Sequence, residues 1–226
     1  MRSPRPRKTA NLSDSLHRQL TMYTIAAGAA GVGTLCFTKP AEARIIYTPA
    51  HVAIKVNGGL FHIDLNHDGT PDFGLSNSYY QGEKNAWTLK AVHTQSANEI
   101  LMTNSRLCGW VAAVLPRGKR IGPKGPFKTY PRGGWMAAVN GSFTCGVWAS
   151  RSNLQAYLGL KFAIKGKTHF GWARVKVDTV QRPFSAILTG YAYETIPNKS
   201  IRAGATKRPN AIAQHGTLGE LAAGRK

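Results

Sequence analysis

From Arg44 onward the sequence never sustains a helical pattern, and this constrains the fold more than any other feature. No stretch of ten residues there repeats apolar side chains at three- and four-residue spacing. Short runs rich in β-branched and aromatic residues recur instead. They read RIIYT, HVAIKV, GLFHID, DFGL, AWTLKAVH and NEILM, then LCGWVAAVL, SFTCGVWA, AYLGLKFAIK, HFGWARVKV and SAILTGYAYE. Gly, Pro, Asn and Asp break them apart, as turns require. In HFGWARVKV, Gly171, Ala173, Val175 and Val177 fall on one face, and Phe170, Trp172, Arg174 and Lys176 on the other. About ten short strands in some 160 residues predict an all-β fold, an antiparallel β-sandwich of jelly-roll type over residues 44–203. Residues 204–226 lose the strand pattern and read as a flexible tail. No internal repeat is present, which argues against a propeller or solenoid.

The first 43 residues are of another kind. MRSPRPRK is basic and carries no acid, MYTIAAGAAGVGTLCF is an uncharged run of 16 residues, and Ala41-Glu42-Ala43 offers small residues for a signal peptidase. This pattern predicts a signal peptide over 1–43, its apolar part a helix, with cleavage after Ala43 and a secreted or cell-envelope location. The apolar run falls short of the ~20 residues needed to span a bilayer. A retained anchor is the alternative.

Export bears on the cysteines and on the charge. Losing the leader removes Cys36 and leaves Cys108 and Cys145, an even pair for which an oxidising compartment favours one disulfide over two free thiols. The whole chain carries 30 Lys and Arg against 10 Asp and Glu, and residues 44–226 still carry 24 against eight. Such a field favours anionic partners: acidic polysaccharide or another envelope polyanion, nucleic acid, or an anionic membrane.

Against that excess of cations, IDLNHDGTPDF at residues 63–73 stands out. Calcium takes six to eight oxygens, so a calcium loop must deliver several carboxylates within a few residues. Spacing by two aims Asp64, Asn66 and Asp68 at one centre. Gly69 permits a sharp turn, Thr70 offers a main-chain carbonyl, and Asp72 ligates directly or through water. The expected cofactor is a structural calcium ion. A glycine-centred turn dressed with Asn and Asp, without metal, is the competing interpretation. Leu75 stands where an EF-hand has its bidentate Glu, and the flanks GLFHI and FGL are strand-like. The segment resembles the calcium loops of FG-GAP and related extracellular repeats, through Asp64, Asn66, Asp68, Gly69, Asp72 and Phe73.

PRGKRIGPKGPFKTYPRGG, residues 116–134, is the basic counterpart: six cations, no acid, and nine Gly or Pro among nineteen residues. Arg117, Lys119, Arg120, Lys124, Lys128 and Arg132 form a candidate polyanion-binding loop, with Phe127 and Tyr130 interleaved for stacking. A solvated loop that aids solubility is the alternative. No nucleic-acid motif accompanies it. Trp87, Trp110, Trp135, Trp148 and Trp172 could line a carbohydrate platform or fill the core.

Nothing in the sequence points to catalysis. No zinc-ligand spacing, hydrolase elbow or phosphate-binding glycine loop occurs. The reading is therefore an exported structural or adhesive protein without catalytic activity. A carbohydrate-binding or glycosidase-like protein is the alternative, and it would need two carboxylates close in space.

Near the C-terminus, HFGWARVKV followed by SAILTGYAYETIPNKSIRAG resembles the closing strands of uncharacterised exported bacterial proteins, a group that includes PEP-CTERM-type surface proteins. Gly171, Trp172 and Arg174 carry the first part of the match. Ala192, Tyr193, Glu194, Thr195, Pro197 and Asn198 carry the second. The resemblance implies an exported β-sandwich and no particular activity.

Overall fold

Every regular element among the described residues is a strand, as the short alternating runs require. The computed structural model describes residues 44–82, 84–130 and 133–207. The expected signal helix, Glu83, Arg132 and the chain beyond Lys207 lie outside the described residues. The chain weaves between two antiparallel sheets. It begins in the larger sheet with β1 (Ile45–Ala53), then enters the smaller for β2 (Leu60–Ile63), β3 (Phe73–Tyr80) and β4 (Ala86–His93). It returns to the larger for β5 (Glu99–Ser105) and β6 (Gly109–Ala112). Two short strands follow, β7 (Arg120–Ile121) and β8 (Phe127–Lys128). The smaller sheet is completed by β9 (Gly134–Asn140) and β10 (Phe143–Cys145). The larger is completed by β11 (Leu154–Ile164), β12 (Lys167–Asp178) and β13 (Ser185–Glu194), and β14 (Ile201–Arg202) pairs with β7.

Strand order is β1-β13-β12-β11-β5-β6 in the larger sheet, with β8 added beside β5, and β10-β9-β4-β3-β2 in the smaller. The two sheets share one apolar core, so the fold is an antiparallel β-sandwich. Ala173, Val175 and Val177 of β12, with Leu158 and Leu160 of β11, meet Phe73, Leu75, Leu89 and Met136 of the smaller sheet. Alternation places these residues on one face, as read from the sequence.

The other face of β12 departs from that reading. Phe170 and Trp172 are fully buried in a second cluster, together with Leu101, Leu115, Tyr157, Ile121, Ile201 and Ala203. The small β7–β14 sheet and the segment after β13 lie across the larger sheet and cover it. Trp172 Nε1 donates to the carbonyl of Ala205 at 3.2 Å, so packing extends to that residue. Alternation on β12 therefore separates two apolar layers at its N-terminal end and reverts to apolar-in, polar-out at Arg174 and Lys176.

Cys108, in the β5–β6 turn, forms a disulfide with Cys145 at the end of β10, with Cα atoms 5.9 Å apart. The bond ties the edge of the larger sheet to the edge of the smaller, against buried Val111 and Ala138.

Candidate functional site

The acidic segment is the loop of the β2–β3 hairpin. Ile63 pairs with Phe73, and Asp72 N–H closes the loop by donating to the carbonyl of Ile63 at 2.9 Å. Within it, short polar side chains fold the backbone around themselves. Asp64 accepts N–H groups from His67 (2.7 Å), Asp68 (3.3 Å) and Gly69 (2.8 Å). Asp68 accepts from Thr70 N–H at 2.8 Å and from the Asn66 amide at 2.8 Å. The Thr70 N–H, and then Asn66, hold the Asp68 carboxyl below the usual carboxylate range. Gly69 sits at φ +87°, a left-handed conformation that side chains disfavour, so a glycine suits the turn.

Asp72 is different. It is 5% exposed, and its carboxylate accepts from Leu65 N–H at 2.9 Å and Asn98 Nδ2 at 3.3 Å. Burial pushes its carboxyl up to about 6, and the negative charges of Asp64 and Asp68 push the same way against the bonds from Leu65 and Asn98.

The structure thus brings Asp64, Asn66, Asp68 and Thr70 into one hydrogen-bonded turn and places Asp72 on its buried side. Among the described residues, no three of His, Cys, Asp or Glu converge closely enough to hold a metal ion by themselves. The donor set is nonetheless all oxygen, which suits a hard cation, with an amide and main-chain carbonyls to supplement the acids. The Asp72 carboxyl feels the charges of Asp64 and Asp68, so a cation there would relieve that repulsion.

Contacts to both sheets fix the loop in place. Leu65 is buried in the main core. The His67 Nε2 atom is hydrogen-bonded to Thr48 Oγ1 of β1 at 2.7 Å, and its ring lies 6.0 Å from that of Tyr191 of β13. On the other side, Thr94 N–H and Asn98 Nδ2 donate to the Asp72 carbonyl at 3.1 Å each.

The basic segment is an anchored ribbon. Its backbone is held by Gly118 N–H to the Ala203 carbonyl and Ala203 N–H to the Lys119 carbonyl, both 2.8 Å, and by Met102 N–H to the Pro126 carbonyl at 3.0 Å. Phe127 pairs with Leu101, and Ile121 is buried. Arg117, Lys119, Arg120, Lys124 and Lys128 are all exposed, and none pairs with an acid among the described residues. Arg120 Nε donates to Ser200 Oγ at 3.0 Å, and Lys128 Nζ lies 4.9 Å from the centre of the Trp110 ring. Beneath the ribbon is a recess of about 860 Å³, lined by Leu101, Thr103, Leu115, Lys119, Lys124 and Ser200 among others.

The recess is not legible in the sequence, because its floor comes from β5 and the segment after β6 while Ser200 arrives from beyond β13. One signal was there: Ile100, Leu101 and Met102 are apolar in succession, the mark of a strand buried on both faces. The tryptophans divide. Trp148 and Trp172 have no exposed surface, and Trp87 stacks on Tyr79 at 4.1 Å, which leaves Trp110 and Trp135 as the more exposed pair. Of the acids outside the loop, Glu99 is ion-paired with Lys161, Asp178 accepts from Ser152 at 3.2 Å, and Glu194 is buried and accepts from Ile196 N–H at 3.1 Å. No family model, curated protein or solved structure matches the chain.

Proposed function

We propose that this is an exported structural or adhesive β-sandwich protein, in which a calcium ion held by the β2–β3 loop steadies one end of the sandwich. The observation that carries the reading is the acidic loop itself. Three of the eight acids in residues 44–226 stand within nine positions, on a hairpin bonded to both sheets. Asp64, Asn66 and Asp68 would ligate through side-chain oxygens, Thr70 through its carbonyl, and Asp72 directly or through water. Such sites in extracellular modules bind with Kd of about 10⁻⁴ to 10⁻³ M, which suits a structural ion outside the cell. The adhesive half of the proposal assigns the ribbon cations Arg117, Lys119, Arg120, Lys124 and Lys128, with Arg132 from the sequence, to an acidic polysaccharide or another envelope polyanion. Anchoring of the ribbon supports it, since ordered cations lose less freedom on binding than mobile ones. The proposal includes no catalytic step.

Calcium titration of the full chain, followed by thermal unfolding, tests the loop. At 5 mM calcium the wild type gains about 1–2 kcal/mol, a few degrees in Tm, and Asp68→Ala gains nothing. An unchanged wild-type Tm at millimolar calcium removes the ion from the account.

A further inference from the structure

We propose that the recess beneath the basic ribbon binds a single-chain amphiphile with a carboxylate head, of the long-chain fatty-acid class. This narrows the anion-docking part of the proposed function to an anion with an apolar chain, and it rests on that part for its cations. A volume of about 860 Å³ lies within the usual range for small-molecule sites. The floor is aliphatic: Leu101 and Met102 of β5, Ala113, Val114 and Leu115 just after β6, and Val147. Lys119, Arg120 and Lys124 stand at its edge, and among the described residues no acid lines it. Arg120 is steadied by Ser200 Oγ, with its remaining N–H groups available to a carboxylate. Ser200 is in turn set close to Gly122, where a Cβ would come within 2.1 Å of its hydroxyl, so glycine is required for this approach.

Shape decides between this occupant and the others that a basic patch attracts. Leu101, Ala113 and Leu115 are 8%, 5% and 4% exposed, so the aliphatic surface is sunk below the cations. A polysaccharide or a bilayer surface reaches projecting groups and would touch only the rim. A slender alkyl chain can enter while its head stays among the lysines. Entry removes the alkyl chain's apolar surface from water, and the head meets cations that pair with no acid among the described residues.

Isothermal titration of the full chain with sodium dodecanoate, below its micelle concentration, tests the proposal. One equivalent binds, while acetate and dodecyltrimethylammonium bind at least about tenfold more weakly, because each lacks half of what the site recognises. Replacing two exposed cations, Lys119→Gln with Lys124→Gln, weakens dodecanoate by about tenfold. Thr103→Trp, which fills the recess from half-buried β5, abolishes dodecanoate binding and leaves retention on heparin unchanged. Absence of saturable dodecanoate binding overturns the proposal, as does binding that Thr103→Trp leaves intact. Should that variant not fold, the exposed lysine pair decides: unchanged affinity overturns the site. Dodecanoate binding by a chain that heparin does not retain would uphold the recess and refute the polyanion.

Discussion

Asp72 carries the least comfortable charge described in the molecule. Its carboxyl, raised to about 6 chiefly by burial, binds its proton more tightly in the folded chain than in the unfolded one, where an aspartate titrates near 4. Below the unfolded value both states are protonated, and the group has no effect on the balance between them. Between about 4 and 6 the folded state holds the extra proton, so stability falls as pH rises through this window. Above about 6 the ionised, buried carboxylate costs on the order of 2–3 kcal/mol relative to its protonated form. In a chelating buffer the Tm therefore increases as pH is lowered from 7 to 5, once other carboxylates are matched by comparison with Asp72→Asn. That variant lacks the increment, and a wild type whose excess slope runs the other way contradicts the assignment. Asp68, exposed and shifted the opposite way, adds nothing to this increment.

Among the elements, the Cys108–Cys145 bond joins sheets that are otherwise held by the core and the crossing segments. It closes a loop of 37 residues, worth about 4 kcal/mol in the chain-entropy treatment. Urea unfolding of Cys108→Ser with Cys145→Ser should lose about that amount, and wild-type stability in the double variant would mean that the loop is already confined without the bond. The long hairpins β11–β12–β13 were legible in the sequence, because each pairs with its chain neighbour and alternates cleanly along much of its length. RIIYT and HVAIKV read as two runs because Pro49 interrupts them, yet they form one strand whose register shifts between Pro49 and Val52. β7, β8 and β14 were invisible, being two residues each and dependent on distant partners. The same distance hid the burial of Phe170 and Trp172, which alternation alone assigns to a solvent face. The acidic loop was legible as a turn because its hydrogen bonds are local. The tie from Asp72 to Asn98 was not, since it depends on how β4 and β5 are placed.

At the scale of the whole molecule, the larger sheet is wrapped on both sides, by the smaller sheet and by the ribbon with the closing segment. Ending the chain at Asn198 removes β14, Ala203 and Ala205 and uncovers Trp172, Phe170 and Ile121. Burial of an aliphatic side chain is worth about 1.5–3 kcal/mol, so the truncation should cost about 3–5 kcal/mol and shift tryptophan emission to longer wavelength. Unshifted emission would show that the outer layer holds without its C-terminal half. The recess loses Ser200 in the same step.

Pairing of β1 with β13 has a consequence in time. Ile45 lies opposite Glu194, so among the described residues the first long strand has its one lateral partner near their opposite end. A ribosome delivers β1 early and β13 late, and no hairpin can shelter β1 in the interval. Contacts of this span make folding slow and place its completion after synthesis has passed Glu194. During that delay β1 stays without the strand it pairs with, while β2, β3 and β4 already have their neighbours at hand.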